Sequence, residues 1–422
     1  MMEKQYYIIC GKFFDGINME LIEDTRIITQ GKNILSVGEK LMCPSDAEIV
    51  DLSDLTVTPG LIDSHVHYEF VGPASFNTYA ITDTDEMKAL NTVHNAMESL
   101  QRGFTTIRTT GTAFRGFGCM DAKRAIDRGM FPASRMIVAP HALGISGGHW
   151  DFSVFYMNTN PYVCELLEQP FAFGAGADAF KQLVRKQVKY GADFIKIMAA
   201  GGFASPGDDP GEMQLDRDEI KAIIDTAKYC SKSTVAHAYT SETIDLLIEL
   251  GISEIEHGTL MKPHTANLIE EKDIYYVPTI FSLMPPDEDA DLSELPPKSP
   301  AYERKLSKYG TQLLESRKVV IDLIVNSKAT IGLGSDIVTL YSNCDNWREF
   351  KAWRDIGIEP LRALVAATSA NAKIIGRNNL GVLAAGKTAD IAAWSKDIMT
   401  DHKAISECDF VMKDGTIYKT KK

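Results

Sequence analysis

The sequence lacks any apolar run long enough to cross a membrane. Spanning a bilayer takes about 18 or more consecutive apolar residues, and no segment of the 422-residue chain approaches that length. The opening residues, MMEKQYYIICGKFF, also lack the apolar stretch ending in small residues that is typical of a signal peptide. We therefore expect no membrane partner and no secretion.

Cysteine is scarce, and its spacing suggests no pairing. The seven cysteines lie far apart and form no C-x-x-C pair. An odd number without close pairs argues against a disulfide scaffold and against a cysteine-based zinc knuckle. A reducing cytoplasm is the simplest location for such a chain, and we expect it there.

Positive charge is in deficit. The chain has 44 Lys and Arg against 57 Asp and Glu, a formal net charge of −13. Without a basic stripe to neutralise phosphates, a nucleic-acid partner is excluded.

Hydrophobic residues at 45% and charged residues at 24% are ordinary globular values, which excludes disordered and fibrous classes. The length fits one large α/β barrel or two to three domains.

What the sequence does contain is a regular alternation of strand-like and helix-like segments. The first 58 residues read as short β elements separated by turns. From Thr58 onward, eight apolar runs are separated mostly by stretches with apolar residues at i, i+3, i+4 and i+7. The runs are TPGLIDSHVH, TTIRTTG, RMIVAPHAL, ADFIKIMAA, STVAHAYT, EIEHGTL, YYVPTIFS and TIGLGSD. This pattern predicts an α/β fold with a (β/α)₈ TIM barrel.

The two ends of the chain resemble each other more than they resemble the barrel. KTADIAAWS and DFVMKDGTIYK repeat the short β character of the opening segments. We predict a small flanking β-sandwich domain built from residues 1–58 and 376–422, with the barrel at 59–375. Residues 284–305, rich in Pro and acid, follow the seventh run. They form either a solvated surface loop or, as we favour, a lid over the barrel mouth.

Histidines and an aspartate end several of the predicted strands. His65 and His67 close the first run at i and i+2, so both imidazoles point the same way. His237, His257 and Asp336 end the fifth, sixth and eighth runs, where barrel enzymes keep catalytic groups. Imidazole and carboxylate ligands suit Zn²⁺ or a similar divalent ion. The pattern predicts a metal centre at the C-terminal mouth of the barrel.

Lys196 lies in the otherwise apolar fourth run, aimed at the same mouth. An ammonium group cannot ligate a metal, and burying it beside metal ions is costly. One interpretation pairs Lys196 with an acid such as Asp193 or Asp336. The other is carboxylation by CO₂, which would turn the cation into an anionic bridge between two metals.

Together these motifs resemble the amidohydrolase superfamily in its two-metal, carboxylated-lysine form. The resemblance is carried by TPGLIDSHVH, IKIMAAGG, AHA, IEHGTL and GLGSD, and continues through GKTADIAAW and VMKDGTIY, so it covers nearly the whole chain. The nearer likeness is to Xaa-Pro dipeptidase-like and arginine or lysine carboxypeptidase-like amidohydrolases, a group that includes imidazolonepropionase-related members.

The resemblance implies two divalent metal ions, with zinc expected first and manganese, iron or cobalt as alternatives. The implied ligands are His65, His67 and Asp336 for the more buried ion, His237 and His257 for the second, and a carboxylated Lys196 between them. It further implies that a hydroxide bridging the two ions attacks the scissile carbonyl. Asp336 would then be the catalytic proton shuttle that passes the proton to the leaving amine.

Three further residues are candidates for substrate contact. His149, in SGGHWD, would bind a substrate carboxylate or support the oxyanion, a catalytic role. Tyr239 follows a predicted ligand by two residues, and the resemblance suits it to the α-carboxylate of a substrate. His141 ends the third run and is either a substrate contact or a structural histidine.

Thr109 stands where many relatives carry an acid, so Arg108 either loses a charge partner or gains a different one.

These features favour a metal-dependent hydrolase that cleaves a peptide or N-acyl amide bond next to a free carboxylate. We expect a small-molecule substrate, either a dipeptide or an N-acyl amino acid, and a homo-oligomeric enzyme. One alternative is a two-metal hydrolase of a cyclic amide or an imidazolone-type heterocycle. The other, from a different class, is a non-catalytic scaffold that retained the barrel.

Overall fold

The structure is a computed structural model that describes residues 3–70, 83–156, 162, 169–283, 300–338 and 342–420. Its strands are β1 (Gln5–Phe13), β2 (Ile22–Glu23), β3 (Arg26–Gln30), β4 (Asn33–Gly38), β5 (Glu48–Pro59), β6 (Leu61–Val66), β7 (Phe104–Thr110), β8 (Arg135–Ala139), β9 (Ala142–Leu143), β10 (Ile195–Met198), β11 (Thr234–Thr240), β12 (Glu254–Leu260), β13 (Tyr275–Val277), β14 (Ile391–Trp394), β15 (Phe410–Lys413) and β16 (Thr416–Lys419). Its α-helices are α1 (Asp85–Gln101), α2 (Gly118–Asp127), α3 (Ala177–Tyr190), α4 (Arg217–Tyr229), α5 (Ser241–Leu250), α6 (Pro263–Glu271), α7 (Pro300–Asn326), α8 (Trp347–Asp355), α9 (Pro360–Val365) and α10 (Asn371–Ile374).

Strands from both chain ends form one sheet. Its order is β16-β15-β14-β5-β1-β3-β4, with β2 beside β1. The junction is the antiparallel pair of β5 and β14, in which Val57 lies opposite Ala393. Fully buried side chains from both ends, among them Ile8 and Phe410, share one core. Strand β5 ends at Pro59 and the first barrel strand begins at Leu61, so the chain shows no linker between this sheet and the barrel. The domain boundaries 1–58 and 376–422 therefore stay predictions.

The barrel strands are parallel, as the alternating pattern predicted. One sheet runs β6-β7-β8 and the other β13-β12-β11-β10-β9. The third predicted run is divided because Pro140 lacks the N–H that a continuous ladder would use. The part before it pairs with β7, and the part after it pairs with β10. The Asp193 N–H donates to Val138 O at 2.9 Å and so connects the two sheets on this side.

The eighth predicted run, 330–336, forms no regular strand, which corrects the expectation of eight full strands. It still lies between the seventh and first strands, because Gly332 N–H donates to Tyr276 O (2.9 Å) and Ser64 N–H donates to Leu333 O (3.0 Å). Close backbone packing accompanies this irregularity. A Cβ at Gly334 would lie 2.7 Å from the Cβ of His65, so the backbone packs directly on β6.

Helices cover the outside of these strands with an apolar face at helical spacing. In α3 the buried residues include Phe180, Leu183 and Val184, at i, i+3 and i+4. Helix α4 begins with a capping box in which Asp216 and Glu219 satisfy each other's backbone N–H groups. This packing holds the strand ends that carry the predicted site.

Two expectations concern parts of the chain outside this framework. Of the predicted lid, residues 284–299 lie outside the described residues, and 300–305 begin helix α7. Among the helices that the structure describes, none combines the length and the apolar character that a membrane span requires.

Candidate metal centre

Three predicted ligands converge at the junction of β6 and the eighth run. His65 Nε2 and His67 Nε2 lie 3.2 Å apart, and Asp336 Oδ1 lies 3.3 Å from the first and 3.4 Å from the second. All three side chains are largely removed from solvent, with 3%, 2% and 15% of their side-chain surface exposed. His65 lies in β6 and His67 directly follows its last residue, Val66, and the neighbouring run supplies the carboxylate.

His237 and His257, from β11 and β12, form the adjoining part of the site. Their ring centroids lie 4.5 Å apart, and the His257 ring lies 5.4 Å from that of His65. His257 and Asp336 both adopt left-handed backbone conformations, with φ of 70° and 46°. Such conformations in non-glycine residues are costly and concentrate at functional sites. Here they turn both side chains toward the same space.

Hydrogen bonds to carbonyl groups assign the protons on two of the imidazoles. His67 Nδ1 lies 3.2 Å from Gly111 O, and His237 Nε2 lies 3.2 Å from Gly201 O. A carbonyl oxygen only accepts, so each of these nitrogens donates and the opposite nitrogen keeps its lone pair. The Nε2 lone pair of His67 therefore faces Nε2 of His65 and the Asp336 carboxylate.

This donor set fits a metal ion. The ligand atoms of His65, His67 and Asp336 lie within 4.8 Å of one another, as do those of His65, Glu256 and His257. Facing lone pairs and a carboxylate repel one another unless a cation or a proton lies between them. Imidazole nitrogen with carboxylate oxygen is a ligand combination that Zn²⁺ accepts.

The protonation states also suit metal binding. Burial lowers the pKa of His65 and holds the pKa values of His237 and His257 well below their usual range. Burial alone would raise the pKa of Asp336, but its closeness to the imidazoles of His65, His67 and His257 holds it well below its usual value. Neutral imidazoles and an ionised carboxylate are the forms that ligate metals.

Lys196 lies at the base of this cluster and is fully buried. Its Nζ contacts the Glu256 carboxylate, whereas Asp193, one of the two acids considered from sequence, accepts a hydrogen bond from Val138 N–H. Burial lowers the pKa of Lys196 to about 7, although the charge of Asp336 opposes this. The lowered pKa favours the neutral amine, and that is the form that reacts with CO₂.

Arg108 pairs with a different acid from the one that many relatives carry at the position of Thr109. This is one of the two outcomes expected from the sequence. Its guanidinium binds both carboxylate oxygens of Glu254, with Nη1 at 2.7 Å from Oε2. It also donates through Nε to Ser64 O at 2.6 Å. A second acid, Glu256, lies 3.4 Å from Nη2 and 3.0 Å from His65 Nδ1. Buried cations need such compensation.

Sequence reasoning missed Glu256, although a signal for it existed. In EIEHG, Glu254 and Glu256 occur at i and i+2 of a strand that is otherwise buried. Acids rarely occupy such positions unless they are paired. Trp150 was also missed, and its ring lies 4.4 Å from that of His67.

The predicted substrate contacts lie in three different environments. The Tyr239 ring is 4.9 Å from that of His237 and 5.4 Å from that of His257, so it borders the centre. The His149 ring stacks on His237 at 4.4 Å, and its Nδ1 lies 2.9 Å from the hydroxyl of Ser205.

His141 is packed among other side chains. Its Nδ1 lies 3.2 Å from Gln187 Oε1, and its ring meets the edge of Phe117 at 4.9 Å. Burial lowers the pKa of His141 to about 4, so it stays neutral. These contacts favour the structural alternative, and substrate contact by His141 stays a prediction.

The chain is similar to known proteins in both sequence and structure. Residues 56–421 match the Amidohydrolase family. Ochratoxinase from Aspergillus niger is 27% identical over 380 residues, which cover 86% of this chain and 75% of that protein. Imidazolonepropionase from Streptomyces griseus is 21% identical over 408 residues, covering 89% and 87%. The crystal structure of a Xaa-Pro dipeptidase with bound methionine in its active site superimposes with a TM-score of 0.85 and 27% identity, covering 99% of this chain and all of that one.

Proposed function

The chain belongs to the amidohydrolase family, hydrolases that act on C–N bonds, and on that premise we propose that it cleaves a peptide or N-acyl amide bond next to a free carboxylate. The observation that carries the proposal is the convergence of His65, His67 and Asp336 within 3.4 Å, with Tyr239 bordering the neighbouring histidine pair. A dipeptide or an N-acyl amino acid is the substrate class.

The centre would hold two divalent ions, with zinc as the first expectation. The proposed ligands are His65, His67 and Asp336 for one ion, His237 and His257 for the other, and Lys196, once carboxylated, between them. When bound, such ions supply a water of lowered pKa and a Lewis acid for the scissile carbonyl. Carboxylation would release Lys196 from its contact with Glu256, whose charge Arg108 at 3.4 Å would continue to offset.

The chain's own groups would handle the proton and the orientation of the substrate. An Asp336 carboxylate oxygen would take a proton from the attacking water and deliver it to the nitrogen of the leaving amine. This role needs an ionised start, which the lowered pKa of Asp336 provides. Tyr239 would bind the substrate carboxylate, and His149 would support the carbonyl oxygen as negative charge develops there.

Two relatives support the substrate class. The Xaa-Pro dipeptidase structure holds methionine, a free amino acid, in its active site. Its name describes an enzyme that acts on a dipeptide, and the name ochratoxinase describes one that acts on ochratoxin. Transferred to this chain, the bound methionine favours a site that accommodates a free α-carboxylate.

The test is a screen of dipeptides and N-acyl amino acids against protein whose metal content has been measured, with amine release as the readout. Each substrate is paired with its C-terminal amide. We expect hydrolysis of the acids and a much lower kcat/KM for the amides. Tyr239→Phe should raise KM for the acids and leave the amides unchanged. Equal rates for acids and amides in the wild-type enzyme would contradict recognition of a free carboxylate.

A second candidate is hydrolysis of a cyclic amide or an imidazolone-type heterocycle, favoured by the match to imidazolonepropionase over 89% of this chain. Cyclic amides therefore form a second arm of the same screen, with ring opening followed by absorbance.

Metal content decides between an enzyme and the alternative of a non-catalytic scaffold. Protein that binds well under one equivalent of zinc or manganese after growth in either metal would support a non-catalytic role.

A further inference from the structure

The segment after the fourth barrel strand, residues 201–214, is held by a buried lysine from a distant helix. Lys305, in the first turns of α7, donates through Nζ to Gly202 O and Ser205 O at 2.6 Å each, and to Asp208 Oδ1 at 2.9 Å. The Lys305 and Asp208 side chains are only 8% and 2% exposed. All three acceptors belong to one segment, so a single buried ammonium group ties three of its residues together.

Asp208 connects this anchor to His149. The Ser205 hydroxyl donates to Asp208 Oδ1, so the Ser205 oxygen is free to accept from His149 Nδ1, 2.9 Å away. Asp208 Oδ2 lies 3.4 Å from the same nitrogen. Both neighbours of Nδ1 therefore act as acceptors. They select the form of His149 in which Nδ1 carries a proton.

The ring of His149 is also confined on both faces. A Cβ at Gly202 would lie 2.1 Å from His149 Cε1 and 2.3 Å from Nδ1, so the ring packs against bare backbone. On the other side it stacks on His237, with centroids 4.4 Å apart and an interplanar angle of 25°. The His149 N–H donates to Gln214 Oε1 at 2.9 Å. Ring and backbone are thus both held by segment 201–214.

We propose that Asp208 is a positioning residue for His149, setting its orientation and its Nδ1-protonated form, and that Lys305 anchors Asp208. Groups that hold the second nitrogen of a metal-ligating histidine typically contribute about 10- to 100-fold to metal affinity or activity, and we expect an effect of the same order at His149. The consequence for catalysis rests on the proposed function, in which His149 contacts the substrate. The consequence for the tautomer of His149 does not.

The first readout is spectroscopic. ¹⁵N-histidine-labelled protein is compared with Asp208→Asn and Ser205→Ala, and the His149 resonances are assigned with His149→Gln. In the wild type we expect the Nδ1-protonated pattern. In Asp208→Asn, the new amide can donate to Nδ1, so the pattern should shift toward Nε2 protonation, and Ser205→Ala should move it in the same direction. Unchanged His149 resonances in both variants would overturn the proposal, even if no substrate had been found.

The second readout is kinetic and uses the substrate identified by the screen. Asp208→Asn should lower kcat by about 10- to 100-fold, with KM changing by less than about threefold. Lys305→Met should give a similar loss, and Lys305→Arg should recover part of it.

The matched control is Asp209→Asn. This carboxylate is in the same segment but binds Lys308 and Tyr309 instead of His149, so kcat should stay within about twofold of wild type. A kcat for Asp208→Asn equal to that of Asp209→Asn would overturn the catalytic role. Wild-type protein inactive on every substrate would contradict the proposed function and leave the resonance test to decide the positioning.

Discussion

Removing Arg108 should destabilise the protein strongly, because it would strand a buried carboxylate. Arg108 and Glu254 are each 2% exposed, and they form a two-pronged ion pair between β7 and β12. In Arg108→Met the Glu254 charge loses this partner while remaining out of water. Breaking one side of a buried pair typically costs about 3–5 kcal/mol. That is a large share of the roughly 5–15 kcal/mol by which domains are stable.

The comparison that isolates burial is Arg217→Met. Arg217 also binds both oxygens of a glutamate, Glu249, but these side chains are 52% and 60% exposed. Water compensates the remaining charge there, so we expect a change close to the error of the measurement. The assay is urea unfolding followed by circular dichroism. The double variant Arg108→Met/Glu254→Leu should recover much of the loss, because it removes the stranded Glu254 carboxylate together with its partner.

Equal unfolding free energies for Arg108→Met and Arg217→Met would show that the buried pair is not compensated as its geometry suggests. A double variant that is less stable than Arg108→Met would show instead that Arg108 acts mainly through Glu256 or Ser64, both of which it also contacts.

Three further predictions concern single side chains. Lys196→Ala should lower bound metal and regain part of it with short carboxylic acids, while the exposed Lys221→Ala should not; unchanged metal stoichiometry would contradict a bridging role. Asp336→Asn should keep much of the metal but lose kcat by orders of magnitude, and near-normal turnover would remove it as the proton shuttle. Burial raises the pKa of Glu349 to about 8 from 4.5. Between these two pH values the folded chain holds a proton on Glu349, whereas the unfolded chain has released it. That contribution to stability is complete below pH 4.5 and is lost as the pH rises through 8. Urea titrations at about pH 6 and about pH 9 should therefore show a smaller loss for Glu349→Gln than for wild type, and parallel losses would contradict the raised pKa.

Strand alternation explains why part of the site was predictable. His65 and His67 stand two residues apart, and in any strand such residues share a face, so their convergence needs no knowledge of the fold. Asp336 required one more step, the expectation that the eighth run lies beside the first. The structure keeps that neighbour relation through Ser64 N–H and Leu333 O, although the run itself is not a regular strand.

The sequence by itself determined which residue types end the parallel strands, and hence the family, the α/β class and a candidate metal centre. Only the tertiary structure decided what surrounds these residues. Lys196 meets Glu256, Arg108 meets Glu254, and His149 meets Asp208. The partners within each pair are 60, 146 and 59 residues apart, and no periodicity links residues at such distances. The physical reason is that a buried charge must find its counter-charge in space, and the closure of the barrel determines which side chain is near enough.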